Sequence, residues 1–143
     1  VKRRTHTLLV WAAATDATFE RSVVDGADSL VGKCIHCQRS VVVPLSPTGP
    51  LRGTVEHIHP RNHGGGDDLA NLAVACPRCN AGKGTRLDHR RASDPTLQRV
   101  VAQLAERRRE RWREPPRDLP LPPRRTDARE AGSGHSGRRG RHR

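Results

Sequence analysis

The chain has 143 residues, of which 33% are hydrophobic and 2% aromatic, so there is room for one compact domain but little material for its core. A core this thin calls for a staple such as a bound metal, disulfides or a partner. The net charge of +12 favours an anionic partner, nucleic acid first, and no apolar run is long enough to form a membrane-spanning helix. Part of the charge belongs to the C-terminal stretch, where Ala105 to Arg143 holds 13 Arg against 6 acids and reads as a solvated basic tail. Arg outnumbers Lys 24 to 3, as a GC-rich bacterial genome would produce.

In chain order, "HTLLVW" at 6–11 reads as an early strand. The apolar run "TLLVWAAA" is too short to serve as a convincing secretory signal, so the expected location is cytoplasmic. "DATFERSVVDG" at 16–26 reads as a turn or short helix ending at Gly26. "SVVVPL" at 40–45 is β-branched and strand-like, "SPTGP" is a turn cluster, and "GTVEHIH" at 53–59 reads as the returning strand, stopped by Pro60. "RNHGGGDDLAN" is too polar and glycine-rich for a regular element, so a loop is expected before the short strand "LAVA" at 72–75. Pro77 suits the first position of a helix, with Gly82 and Gly84 suiting its early exit. Asp94 is a good N-cap and Pro95 a good first helical residue for a helix reaching about Trp112, with Leu97, Val100, Val101 and Leu104 on one face. Beyond it "PPRDLPLPPRR" reads as an extended polyproline linker and residues 129–143 as disordered. His6, His89, His135 and His142 belong to no constellation and read as surface residues.

The four cysteines form two identical knuckles, Cys34–Cys37 and Cys76–Cys79, each with two residues between the thiols. Two such pairs separated by a few dozen residues suit one tetrahedral Zn2+ bound by four thiolates. Four sulfurs leave no open coordination position, so this ion is expected to hold the fold and not to catalyse. Disulfides, an iron–sulfur centre or redox use are the other readings of the same four residues. His36, between the first two thiols, is expected to face solvent.

"VEHIHPRNHGGG" at 55–66 sets Glu56, His57 and His59 just before a glycine loop. The second knuckle ties the helix start to the same metal region and so draws Asn80 toward Glu56 and His57. A carboxylate and an amide oxygen are hard donors suited to Mg2+ or Mn2+. A neutral imidazole nearby is a sensible base for activating water, and the combination on a basic chain suggests metal-assisted attack on a phosphodiester. Asp67 and Asp68 read as residues that cap or turn the loop, and His63 as solvated.

These residues carry a resemblance. "EHIHP", the Gly-Gly loop, "NLAVACPRCN" and "AGKG", flanked by the two knuckles, resemble the HNH endonuclease family over roughly Cys34 to Gly84. The resemblance implies an α+β fold: a small ββα-metal (His-Me finger) core at 34–92, stapled by the four-cysteine zinc. An N-terminal extension at 1–33 would precede it, with an amphipathic helix at 93–114 and a disordered basic tail at 115–143 after it. It also implies roles. His57 is the general base, Glu56 and Asn80 hold one catalytic divalent ion, and Asn71 pins the loop and orients His57. Arg61 and Lys83 are phosphate contacts, and the substrate is DNA, with RNA an alternative. Glu56 stands where the family more often has Asp, and His59 stands at a variable position. The competing expectation is a zinc-stapled nucleic-acid-binding module that cuts nothing. It would need the four cysteines but not Glu56, His57 and Asn80.

Overall fold

The computed structural model describes residues 3–48 and 52–124. Helix α1 (Arg3–Ala14) leads into a three-stranded antiparallel meander of β1 (Glu20–Val24), β2 (Ala27–Lys33) and β3 (Ser40–Pro44). A two-stranded antiparallel pair, β4 (Thr54–His57) with β5 (Leu72–Ala75), carries α2 (Pro77–Lys83), and α3 (Pro95–Arg111) closes the order. The class is α+β, as expected. Among the described residues, no helix is long and apolar enough to cross a membrane.

Two elements differ from the sequence reading. The segment read as an early strand is α1, whose buried residues His6, Leu9, Val10 and Ala13 follow helical spacing and whose Ala12–Ala14 run favours helix. His6, expected at the surface, is buried, with Nε2 2.7 Å from the Pro44 carbonyl oxygen. Residues 20–33 form a β-hairpin where a turn or short helix was expected. Val24 pairs with Ala27 across Asp25 and Gly26, both at positive φ, the two-residue loop that matches strand twist. Gly32 of β2 is required by packing, since a Cβ there would sit 2.4 Å from the Phe19 ring.

The returning strand finds a different neighbour. β3 pairs with β2, whereas β4 pairs with β5 in the register Thr54–Ala75 to His57–Leu72. All four residues of β5 are buried, and α1 packs against both β4 and β5. Leu9, Val10, Phe19, Leu30, Ile35, Ile58, Leu72 and Leu97 thus belong to one core, each burial stabilising by about 1.5–3 kcal/mol. The loop between β4 and β5 contains two short 3-10 turns, Arg61–His63 and Leu69–Asn71.

α3 begins as anticipated, with the Asp94 carboxylate accepting from the Leu97 amide and Pro95 first in the helix. Its face of Leu97, Val101 and Leu104 is buried. Three of its arginines, however, turn toward the protein instead of solvent. Arg107 donates to the Ile35 and His36 carbonyls, and Arg108 to Thr15 and to the Leu69 carbonyl. Arg111 donates to the Lys33 carbonyl and pairs with Asp16 at 3.5 Å. Residues 115–124 also differ from a free linker: Leu119 is buried, and the Trp11 indole donates to the Pro122 carbonyl at 2.6 Å. The expected disorder of 129–143 lies outside the described residues.

Candidate functional site

The two knuckles meet. The sulfurs of Cys34, Cys37, Cys76 and Cys79 all lie within 4.8 Å of one another, and Cys37 Sγ is 4.0 Å from Cys76 Sγ. Tetrahedral Zn–S bonds of about 2.3 Å require sulfurs about 3.8 Å apart, so the four cysteines are positioned to hold one ion such as zinc. The amides of His36 and Cys76 point at Cys34 Sγ, and that of Cys79 at Cys76 Sγ. A backbone hydrogen bond at Arg39 brings the exposed Cys37 thiol down to about 7, while burial pushes Cys79 up to about 12. The Ile35 amide donates to the Val74 carbonyl, which joins the first knuckle to β5. The second knuckle opens α2, and α2 packs against β4.

Strand alternation separates Glu56 from His57. Glu56 points inward and is 1% exposed. Its Oε1 lies 2.6 Å from His36 Nε2 and its Oε2 lies 3.0 Å from Lys83 Nζ. His36 therefore turns inward, contrary to the solvent-facing position expected of it. Lys83 is 2% exposed, and its ammonium also donates to the His57 carbonyl at 3.1 Å and to Asp88 Oδ1 at 2.7 Å. Three oxygens thus compensate its buried charge. The phosphate contact expected of Lys83 is a correction: the structure gives this residue an internal role, tying α2 to β4.

His57 points the other way. Its Nε2 lies 2.8 Å from Asp67 Oδ1 and 3.1 Å from Arg61 Nε. Asp67 also binds Arg4 of α1, through Oδ2 at 2.9 Å. Burial acts to raise the Asp67 carboxyl, but the hydrogen bonds from His57 and Arg4 and the charge of Arg61 outweigh it and hold the group below its ordinary value. Arg61 keeps 63% of its side chain in solvent beside the imidazole.

Asn71 pins the loop. Its Oδ1 accepts from the His59 amide at 2.8 Å, and its Nδ2 donates to the Gly66 and His59 carbonyls. It acts on the backbone just beyond His57 and makes no bond to the imidazole. Gly65 lies under this clamp, and a Cβ there would fall 1.8 Å from the His59 carbonyl oxygen. Asn80 donates through Nδ2 to Thr54 Oγ1 and to the Val55 carbonyl, which leaves its Oδ1 without a protein partner among the described residues. His59 and His63 border a cleft of about 340 Å3 against Leu97 and Val101 of α3.

Sequence reasoning missed three participants. Asp67 joins His57 across ten positions of loop, His36 reaches Glu56 from the knuckle, and Asp88 reaches Lys83 from beyond α2. Only Asp67 left a signal, as an acid inside a loop that Asn71 was expected to fold back on the strand. Comparison of the chain with curated proteins and with solved structures finds no match. Residues 34–86 match the family model described as HNH endonuclease, and the four converging thiols and the strand, strand and helix in the expected order all lie within this segment.

Proposed function

We propose that the chain is a metal-dependent endonuclease that hydrolyses phosphodiester bonds of DNA, with His57 activating water. The observation that carries this reading is the placement of the His57 imidazole at the end of β4. It is half-buried, held between Asp67 and the exposed Arg61, on a loop that Asn71 clamps. In the reaction His57 takes a proton from water, and the water oxygen forms a new bond to phosphorus as the bond from phosphorus to the 3′ oxygen breaks. The 3′ oxygen takes a proton from solvent, so the products carry a 5′-phosphate and a 3′-hydroxyl. Arg61 contacts the phosphate and offsets its charge.

Glu56 and Asn80 are the residues to hold a catalytic Mg2+ or Mn2+. Their donor chemistry fits a hard ion, and the Asn80 Oδ1 has no protein partner among the described residues. Such an ion supplies electrostatic stabilisation to the charge that develops on the phosphate and the departing oxygen. At Glu56 it has to compete with the ammonium of Lys83.

That competition favours a second reading, the non-catalytic zinc-stapled nucleic-acid-binding module, in which Glu56 serves only the buried pair with Lys83. Incubating supercoiled plasmid with the full chain and Mg2+ or Mn2+ separates the two. The nuclease nicks the plasmid, and His57→Ala lowers the rate by about 100-fold or more with zinc content unchanged. Tight binding by the wild type without nicking establishes the module instead.

A further inference from the structure

We infer that Asp67 is the positioning residue of His57: it accepts the proton-bearing Nε2 and leaves Nδ1 as the basic nitrogen. The inference rests on the reading of His57 as general base. Two partners of Nε2 compete for one in-plane direction. Arg61 Nε, at 3.1 Å, can donate to Nε2 only if that nitrogen carries a lone pair. Asp67 Oδ1, at 2.8 Å, can bond to it only if it carries the proton. A lone pair facing a carboxylate oxygen at that distance is repelled, and Asp67 is kept ionised by Arg4 and Arg61. The Arg61 side chain is mostly in solvent and free to turn, with Asp67 Oδ1 already 3.4 Å from its Nη2. Asp67 has less freedom, with only 19% of its side chain in solvent and Oδ2 also bonded to Arg4. The proton therefore sits on Nε2.

The same carboxylate faces the ring on which positive charge forms as His57 takes a proton from water. Asp67 touches neither water nor phosphate in this scheme and acts only through His57. Arg4, outside residues 34–86, sets the carboxylate in place from the opposite side.

The test uses the full zinc-loaded chain labelled with 15N at histidine, with His57→Gln identifying the His57 resonances. In the wild type at a pH where His57 is neutral, Nε2 should show the bonded proton and Nδ1 the unprotonated signature. Asp67→Asn, whose amide can instead donate to Nε2, should shift His57 toward the Nδ1-protonated form. It should also lower kcat for plasmid nicking by about 100-fold or more with KM little changed. Asp67→Glu should restore part of both. Arg4→Ala separates tethering from positioning: the wild-type tautomer with most of kcat retained supports the inference. An Arg4→Ala loss equal to that of Asp67→Asn overturns it, and so does an unchanged tautomer in Asp67→Asn. The tautomer is read without DNA, so a chain that sets it through Asp67 yet never nicks plasmid supports this pairing while the nuclease reading fails.

Discussion

Lys83 and Glu56 illustrate how a residue's charge is set by what surrounds it. Both are nearly inaccessible to water, and a buried charge is costly unless paired and hydrogen-bonded. Lys83→Met leaves the Glu56 carboxylate with His36 as its remaining partner among the described residues, and we expect a loss of about 3–5 kcal/mol in urea unfolding. Combining it with Glu56→Gln should recover a large part of that loss, because the second change removes the stranded charge. A recovery of this kind marks the pair as a mutual compensation, whereas additive losses would assign each residue a separate role. From sequence, a lysine near a nuclease-like motif points to phosphate. What the sequence did not disclose was that α2 seats Lys83 beneath β4.

At the scale of elements, β4, β5, α2 and α3 were legible because each carries local punctuation. Pro60 stops one strand, "LAVA" is a short apolar run after a polar loop, Pro77 and Pro95 open helices, and Asp94 caps one. α1 and the first hairpin were not. An eight-residue apolar run satisfies strand and helix periodicity alike, and packing against both sheets joins the alanine run in deciding for α1. The Asp25–Gly26 pair is a hairpin signal, but the strand after it carries the polar Asp28 and Ser29 near its start, which hides the apolar alternation. The candidate site was legible to the extent that its residue types and zinc spacing are local. The Asp67–His57 and Lys83–Glu56 pairs depend on side-chain direction, which spacing does not give. The four-cysteine centre is the element that holds β5, α2 and the first knuckle together. Cys79→Ser, or a strong chelator, should release one zinc per chain and lower the unfolding midpoint sharply, since such ions contribute about 10–16 kcal/mol in zinc-finger peptides. Metal analysis alongside circular dichroism measures both. Retention of the midpoint after complete metal loss would show that the core suffices alone.

For the whole molecule, α3 acts as a clasp. Arg108 is buried between the end of α1 and the loop turn at Leu69, and burial lowers its guanidinium to about 10, which still leaves it charged at neutral pH. Arg108→Leu strands the Thr15 and Leu69 carbonyls, and we expect about 2–4 kcal/mol of destabilisation by thermal or urea unfolding. Plasmid nicking should also fall, because Leu69 begins the turn that ends at Asn71. Arg111 and Arg113 reinforce the clasp from the same end, the latter donating to the Ala14 and Phe19 carbonyls.

The Arg4–Asp67 bridge has a consequence for modularity. Helix α1 lies before residue 34, yet it covers both strands of the β4–β5 pair and reaches the acid beside His57. A fragment excised at 34–86 would expose the apolar back of that hairpin and strip the loop of one of its two guanidinium supports. The boundaries of the family match are thus narrower than those of the folding unit, and the N-terminal helix is one wall of the chamber in which any chemistry would take place.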